Sequence, residues 1–320
     1  MKTITLIIPV FNEATALEQH LPVIFNTIAA VTAVRWQVLL IDDGSTDNTL
    51  EQLKILSSHY KNLQFLSLNR NFGKEAAILA GLMHSQSDAV IVMDSDLQHP
   101  PALIPQMVLL WQQGIQVVEA YKVSRGEESW WSKLLVHGFY RTFRLLAEID
   151  ITNHSDFKLL DKQVVEVYCQ LPEKKRFFRG MIHWMGFASA QLPFSVPARQ
   201  HGTTAWSKFK LLRFSFHALT SFSSLPLQLI TLFGIFCFFL SMSIGGIALY
   251  HKVAGVAVSG FTTVILLILL IGSLLMFALG LIGVYIAQIY DEIKSRPIYL
   301  INWQKSYFSQ QDREKENSHL

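Results

Sequence analysis

Residues 89–98 read Ala89-Val90-Ile91-Val92-Met93-Asp94-Ser95-Asp96-Leu97-Gln98. Five apolar residues, two of them valines and one an isoleucine, stop at two carboxylates one residue apart. A short β-branched run halted by polar residues reads as a buried strand. Upstream, Lys74 to His84 reads as a helix, Leu63 to Leu68 as a strand and Thr46 to Ser57 as a helix. Trp36 to Ile41 is a strand, Ala14 to Ala30 a helix and Thr3 to Val10 the first strand. Downstream, Ala102 to Gln113 is a helix and Gln116 to Ala120 a strand. Strands alternating with helices predict a mostly parallel sheet covered on both faces, with ligands beyond the carboxyl ends of its strands.

Those ends are polar in a repeated way. They read Pro9-Val10-Phe11-Asn12-Glu13, Asp42-Asp43-Gly44-Ser45, Arg70-Asn71-Phe72-Gly73-Lys74-Glu75 and Asp94-Ser95-Asp96-Leu97-Gln98. Two carboxylates at a strand end, with Gln98 as a neutral oxygen, suit a hard cation such as Mg2+ or Mn2+ shared with substrate phosphates. Asp96 could equally cap the helix that follows Pro100-Pro101, and Asp42, Asp43, Glu13, Lys74 and Glu75 each have a capping or solvated alternative. Four such clusters at consecutive strand ends make a joint structural explanation poor. No G-x-G-x-x-G follows the first strand, which disfavours a dinucleotide dehydrogenase, and no G-x-x-x-x-G-K-[ST] is present.

Composition adds a second compartment. The 320 residues are 51% hydrophobic and 16% charged, against about 25% charged in ordinary soluble domains. Between Arg213 and Asp291 the only Lys, Arg, Asp or Glu is Lys252. This excludes a wholly soluble enzyme, a disordered chain and a disulfide scaffold. Cys169 and Cys237 lie in dissimilar surroundings and suggest no bridge. A net charge of +3 is too mild to argue for nucleic acid.

Residues 225–250 and 261–290 are each long enough to cross a bilayer, which takes about 20 apolar residues, and the short link makes them a hairpin. Arg199, Lys208, Lys210 and Arg213 precede the first span, and Lys294, Arg296 and Lys305 follow the second. The positive-inside rule puts both termini in the cytoplasm. Ser129 to Ile149 mixes Trp130, Trp131, Phe139 and Phe143 with Lys133, Arg141 and Arg144 at helical spacing, as in a helix lying at the headgroups, with an ordinary amphipathic core helix as the alternative. The expected organisation is a cytoplasmic domain over 1–205 containing this interface helix at 129–149, then an amphipathic juxtamembrane helix at 206–224. The two spans follow, and a cytoplasmic tail over 291–320 is polar and disordered from about Ser309.

Read together, the strand ends resemble glycosyltransferase family 2, the nucleotide-sugar enzymes of the GT-A fold. Within it the chain is similar to polyprenyl-phosphate glycosyltransferases of the bactoprenol glucosyltransferase kind, with dolichyl-phosphate mannose synthase a more distant relative. The resemblance extends through Asp156-Phe157-Lys158-Leu159, Arg179-Gly180-Met181, Arg199-Gln200-His201-Gly202, Thr220-Ser221-Phe222-Ser223, Gly283-Val284-Tyr285-Ile286 and Arg296-Pro297. It implies that Pro9, Phe11, Glu13 and Asp42 hold the nucleoside, with Asp42 on the uracil edge. Asp94, Asp96 and Gln98 would bind the metal and donor diphosphate, with Lys74, Lys122 and Arg125 nearby. Asp156 would act with Asp96 in catalysis as base or sugar-positioning group. Arg179 and Arg199, with Thr204, Lys208 and Lys210, would face the acceptor phosphate. The family's D-F-R-L has Lys158 in place of its Arg, R-x-x-G-x-[ST]-K has Ala205 in place of its Lys, and His217 stands where an acidic residue is common.

The implied activity is an inverting, metal-dependent transfer of a hexose, with glucose favoured, from a UDP-sugar to undecaprenyl phosphate at the cytoplasmic face of a bacterial inner membrane, for cell-envelope glycan modification. The implied assembly is a homo-oligomer such as a tetramer. A processive polysaccharide synthase would share the donor clusters, but its Q-x-x-R-W is absent here. A catalytically idle membrane scaffold would have no need of Glu13, Asp42, Asp94 and Asp96 together.

Overall fold

A computed structural model describes residues 1–122, 154–174, 176–194, 225–255, 260–294 and 296–308. The expected interface helix at 129–149, the juxtamembrane helix at 206–224, the tail beyond Ser309, and Arg125, Arg199, Thr204, Lys208 and Lys210 lie outside them. The described residues form two compact units, one from residues 1–194 with 296–308 and the other from 225–294.

The first unit runs β1 (Thr3–Val10), α1 (Ala14–Ala29), β2 (Arg35–Asp42), α2 (Thr49–His59), β3 (Leu63–Ser67), α3 (Lys74–Met83) and β4 (Ala89–Val92). A 3-10 turn at Pro101–Leu103 leads into α4 (Ile104–Gln112), followed by β5 (Val117–Lys122) and β6 (His154–Asp161). Then come α5 (Lys162–Gln170), α6 (Phe178–Trp184) and β7 (Ser189–Phe194). The helix expected from Thr46 starts three residues later because Thr46–Asp47 serve the turn. The Thr46 amide donates to Asn12 Oδ1, and the Thr49 amide to Asp47 Oδ1.

The sheet order is β3-β2-β1-β4-β6-β5-β7. β1 pairs in parallel with β2 and β4, β2 with β3, and β5 with β7. The insertion of β6, antiparallel to both β4 and β5, makes the sheet mixed. Alternate residues of the apolar strands serve two cores, as expected of a sheet covered on both faces. Leu6, Ile8, Val38 and Leu40 pack with α1, α2 and α4. Ile7, Leu39, Ile41 and Leu66 pack with α3, α5 and α6.

Two features were not expected. Lys158 on β6 is fully buried, with Nζ 2.7 Å from Oε1 of Glu119, its register partner on β5. The residue that departs from D-F-R-L therefore sits inside the sheet rather than in a cleft. Residues 298–308, expected as part of a separate tail, instead cover the edge of β3. Phe65 and Tyr307 exchange backbone hydrogen bonds of 3.0 Å, the Asn302 amide donates to Ser67 O, and Ser306 Oγ accepts from the Ser67 amide. An otherwise open sheet edge is thereby paired.

The turns after β2 and β3 abut. Gly44 has φ +68°, and a Cβ there would lie 2.3 Å from the carbonyl carbon of Arg70. Gly44→Ala should destabilise this unit by about 2 kcal/mol or more, from left-handed backbone strain and the clash together. A thermal-unfolding midpoint equal to that of the wild type would contradict this close approach.

The second unit contains α7 (Leu225–Val253) and α8 (Phe261–Ile293), slightly longer than the expected spans. Windows at Ile230–Ile247 and Leu270–Ile293 have mean hydropathies of 2.1 and 2.3, so both helices are long and apolar enough to cross a membrane. Only 0% and 6% of these windows is buried, whereas a core helix that is apolar all round would be covered.

Candidate active site

A cleft of about 310 Å³ opens at the carboxyl ends of the parallel strands. The end of β1 supplies Pro9, Val10, Phe11 and Glu13, and β2 supplies Asp43. The β3–α3 turn contributes Asn71, Gly73 and Lys74, and β4 contributes Asp94, Ser95 and Asp96.

The adjacent carboxylates after β2 divide their work. Asp42 is buried, accepting the Ser45 amide at 2.9 Å and the Ser67 hydroxyl at 2.8 Å, and it is not part of the cleft lining. Asp43 lines the cleft and accepts the Phe72 and Gly73 amides at 2.7 and 2.9 Å. Burial raises its carboxyl above the ordinary value against those two bonds. Gly73 has φ +98°, a backbone that places the amides of the β3–α3 turn where Asp43 can take them.

Glu13 reaches across from β1 to the Ser95 hydroxyl. Burial raises its carboxyl above the usual range, and the charges of Asp96 and Asp94 push the same way while the Ser95 bond opposes. The cleft thus gathers more negative charge than it neutralises at this end. Asp96 is exposed and, among the described residues, braces its own turn by accepting the Gln98 amide at 3.1 Å. Leu97 between them has φ +55°, uncommon for a bulky side chain. The Asp94 amide donates to His99 Nδ1 at 3.2 Å. His99 is buried and stacked on Phe157, and burial lowers its pKa despite the nearby Asp94, so it is a neutral acceptor rather than an ion-pair partner.

A cationic knot joins this edge to β6 and α6. Lys74 Nζ lies 2.6 Å from both Asp94 Oδ1 and Asp156 Oδ2. Arg179 meets Asp156 with a fork, Nε to Oδ1 at 2.6 Å and Nη2 to Oδ2 at 2.9 Å. Burial alone would raise the Asp156 carboxyl, but Arg179 and then Lys74 hold it well below the usual range. Burial would lower the Lys74 ammonium, yet Asp156 and Asp94 raise it.

Among the described residues no set of three or more His, Cys, Asp or Glu side chains forms a ready-made metal cage. Asp94 and Asp96 still fit a hard divalent cation that completes its shell with water and ligand phosphate oxygens, the usual habit of Mg2+. The exposed Asp96 carboxylate is suited to this, and Gln98 is half-buried in the same turn.

Of the residues expected from the sequence, the structure brings Pro9, Phe11, Glu13, Lys74, Asp94 and Asp96 to one cleft. Asp156 joins it through Lys74, and Arg179 through Asp156. Asp42 lies buried behind it, and Lys122 is the last residue of β5. Asn71, Gly73 and Ser95 line the same cleft without having been singled out, as does Asp43, which was weighed with Asp42 but given no role of its own. Their position directly at strand ends was the available signal.

Residues 5–169 match the model of glycosyl transferase family 2. The chain belongs to this family. An uncharacterized glycosyltransferase of Synechocystis sp. is 35% identical over 93% of this chain and 94% of its own. The putative glycosyltransferase CsbB of Bacillus subtilis is 37% identical over 93% of this chain and 91% of its own. The bactoprenol glucosyl transferase of Shigella phage SfX is 33% identical over 94% of this chain and 99% of its own. Among solved structures, glucosyl-3-phosphoglycerate synthase from Mycobacterium tuberculosis, in complex with uridine diphosphate, aligns with a TM-score of 0.50 and 22% identity. That alignment covers 69% of this chain and 79% of that one, and supports the GT-A fold. A member of this family is a glycosyltransferase, and here the acidic side chains of the cleft lie at the strand ends of a mixed sheet.

Proposed function

We propose that this glycosyltransferase moves glucose from UDP-glucose to a polyprenyl phosphate, such as undecaprenyl phosphate, at the cytoplasmic face of a bacterial inner membrane. The observation that carries the reading is the pair of carboxylates lining the cleft just after β4, Asp94, which is ion-paired with Lys74, and the exposed Asp96. The identity to bactoprenol glucosyl transferases along nearly the whole chain, including the two apolar helices, supports a lipid-linked acceptor.

In this reading Pro9, Phe11, Glu13 and Asp43 border the nucleoside, with Asp42 holding the turn behind them. Asp94 and Asp96, with Gln98, hold Mg2+ or Mn2+, which when bound offsets the charge of the departing diphosphate. Lys74 has two carboxylate partners and can transfer its charge to a donor phosphate when that phosphate arrives. Lys122 and Arg125 are assigned to the donor diphosphate as further positive charges. Asp156 orients Lys74 and Arg179 and positions the sugar. An ionised lipid phosphate oxygen forms the new bond at the anomeric carbon while the bond to UDP breaks, inverting the α-linked donor to a β-linked product. That nucleophile is an anion near neutral pH, so no strong base is required. Arg179 and Arg199, with Thr204, Lys208 and Lys210, hold the acceptor against repulsion from the donor.

α7 and α8 span the bilayer as a hairpin, with both termini cytoplasmic by the distribution of basic flanks. The domain over 1–205, its interface helix at 129–149, the juxtamembrane helix at 206–224 and a homo-oligomer, such as a tetramer, belong to the same proposal. Membranes containing the full chain, incubated with undecaprenyl phosphate and a panel of radiolabelled UDP-sugars, should carry label from UDP-glucose into the lipid fraction. Label entering lipid from no UDP-sugar would sink the reading, and label from a different one would change the sugar.

A further inference from the structure

Glu75 follows Lys74 in the first turn of α3, yet its carboxylate serves a different part of the chain. Oε2 accepts the Phe178 amide at 2.9 Å across 103 residues of sequence. Phe178 is the first residue of α6, where the leading amides have no partner within the helix. Its ring is fully buried and meets Tyr168 edge-on, with centroids 5.6 Å apart. Arg179 is the next residue, and its fork closes on Asp156 through Nε and Nη2. The start of α3 therefore holds the start of α6 by one hydrogen bond, while Lys74, one residue before its anchor point, and Arg179, one residue after its own, converge on the same carboxylate.

The charges around Glu75 are mixed. Burial pushes its carboxyl up to about 7 and the Asp156 charge adds to this, while the Phe178 amide, Lys74 and Arg179 oppose. Tyr168 packs against the same region and feels the Glu75 charge. A carboxyl so costly to bury would be replaced by an apolar residue if it only filled space. The bond it makes is the geometric reason for its presence.

We propose that Glu75 is the positioning residue for Arg179: by accepting the Phe178 amide it sets the first turn of α6, so that the Arg179 guanidinium meets Asp156 edge-on and keeps its remaining donors for the acceptor phosphate. The role given to those remaining donors rests on the functional reading above. The coupling of Glu75 to α6 does not.

Two variants of the full chain separate reach from charge. Glu75→Gln keeps an acceptor oxygen at the same distance and loses the charge. Glu75→Asp keeps the charge and is one methylene too short. Hydrogen exchange of residues 176–184 and steady-state kinetics with polyprenyl phosphate are then measured for both. Glu75→Asp should speed exchange in this segment about tenfold and raise the acceptor KM about tenfold, one broken anchoring hydrogen bond being worth roughly that factor. The UDP-sugar KM should change less than about threefold, and Glu75→Gln should stay within about threefold of wild type in every readout. A Glu75→Asp variant with wild-type exchange in this segment, or a Glu75→Gln variant as impaired as Glu75→Asp, overturns the proposal. If the wild type transfers no sugar to polyprenyl phosphate, the functional reading fails, and the exchange ranking alone still decides whether Glu75 anchors α6.

Discussion

Asp96→Ala should lower sugar transfer by roughly 10²–10³-fold or more, the loss seen when one fixed group facing developing charge is removed, while the protein unfolds at nearly the wild-type temperature. The two halves of this expectation have separate causes. Asp96 is exposed and, among the described residues, accepts the Gln98 amide in its own turn, so its removal should cost no more than about 0.5–1 kcal/mol of stability. Its carboxylate has no structural duty comparable to that of Asp156 or Asp43. It sits beside Asp94 in a cleft where Glu13 already carries a raised pKa from burial and from both neighbours. Three acidic groups in one cleft repel one another, which makes sense if a cation joins them. Transfer and unfolding measured on one purified preparation, with Mg2+ or Mn2+ in excess, decide the matter. Near-wild-type transfer would remove Asp96 from the proposed metal site, and a large fall in unfolding temperature would show that the turn itself had been damaged.

Much of the first unit could be read before its coordinates were known, for a physical reason. Thr3–Val10, Arg35–Asp42, Leu63–Ser67 and Ala89–Val92 are apolar β-rich runs halted by Pro, Asn, Asp or Gly, and a parallel sheet buried on both faces needs such runs. Ligand sites in these sheets lie at strand ends, so the acidic clusters there were legible as candidate site residues from their positions alone. The strand His154–Asp161 was harder. Its Asp156 and Lys158 stand out by resemblance alone, and neither the hold of Lys74 and Arg179 on the first nor that of Glu119 on the second could be read from their neighbours. Pairing over distances of tens of residues leaves no local signature. The choice between Asp42 and Asp43 turns on which way successive side chains leave the end of a strand, and composition carries no such information. The strap at 298–308 was obscured because its apolar residues are spaced among polar ones, and the edge it covers lies more than two hundred residues earlier, as in the Ser67–Ser306 contact.

Asp156→Ala should be the most destabilising single change at the site, costing about 2–4 kcal/mol and lowering the unfolding midpoint by about 5–15 °C. Breaking a fully buried ion pair by removing one partner costs about 3–5 kcal/mol. Here the side chains of Lys74 and Arg179 are 40% and 38% exposed, so water takes back part of the loss and the figure is reduced accordingly. Asp156 itself is nearly buried, and without it two cations face each other across an empty position. Asp156→Asn keeps the shape and one acceptor oxygen and should lose less. The pH dependence separates pairing from packing. Arg179 and Lys74 hold the folded carboxyl below its ordinary 3.8, so its stabilisation is complete above about pH 4 and is lost only as pH falls from there toward the depressed folded value. The Asp156 charge also raises the Glu75 carboxyl, which is pushed up to about 7, so the comparison is made in a Glu75→Gln background. There the stability gap between Asp156 and Asp156→Asn should stay constant from about pH 5 to 8 and narrow only below about pH 4. A gap that closed between pH 6 and 8 would mean that Asp156 is not ionised in the folded protein. Lys74 and Arg179 would then lack the shared anion that brings them to one point, and the link from α6 to the cleft would have to be rebuilt on other groups.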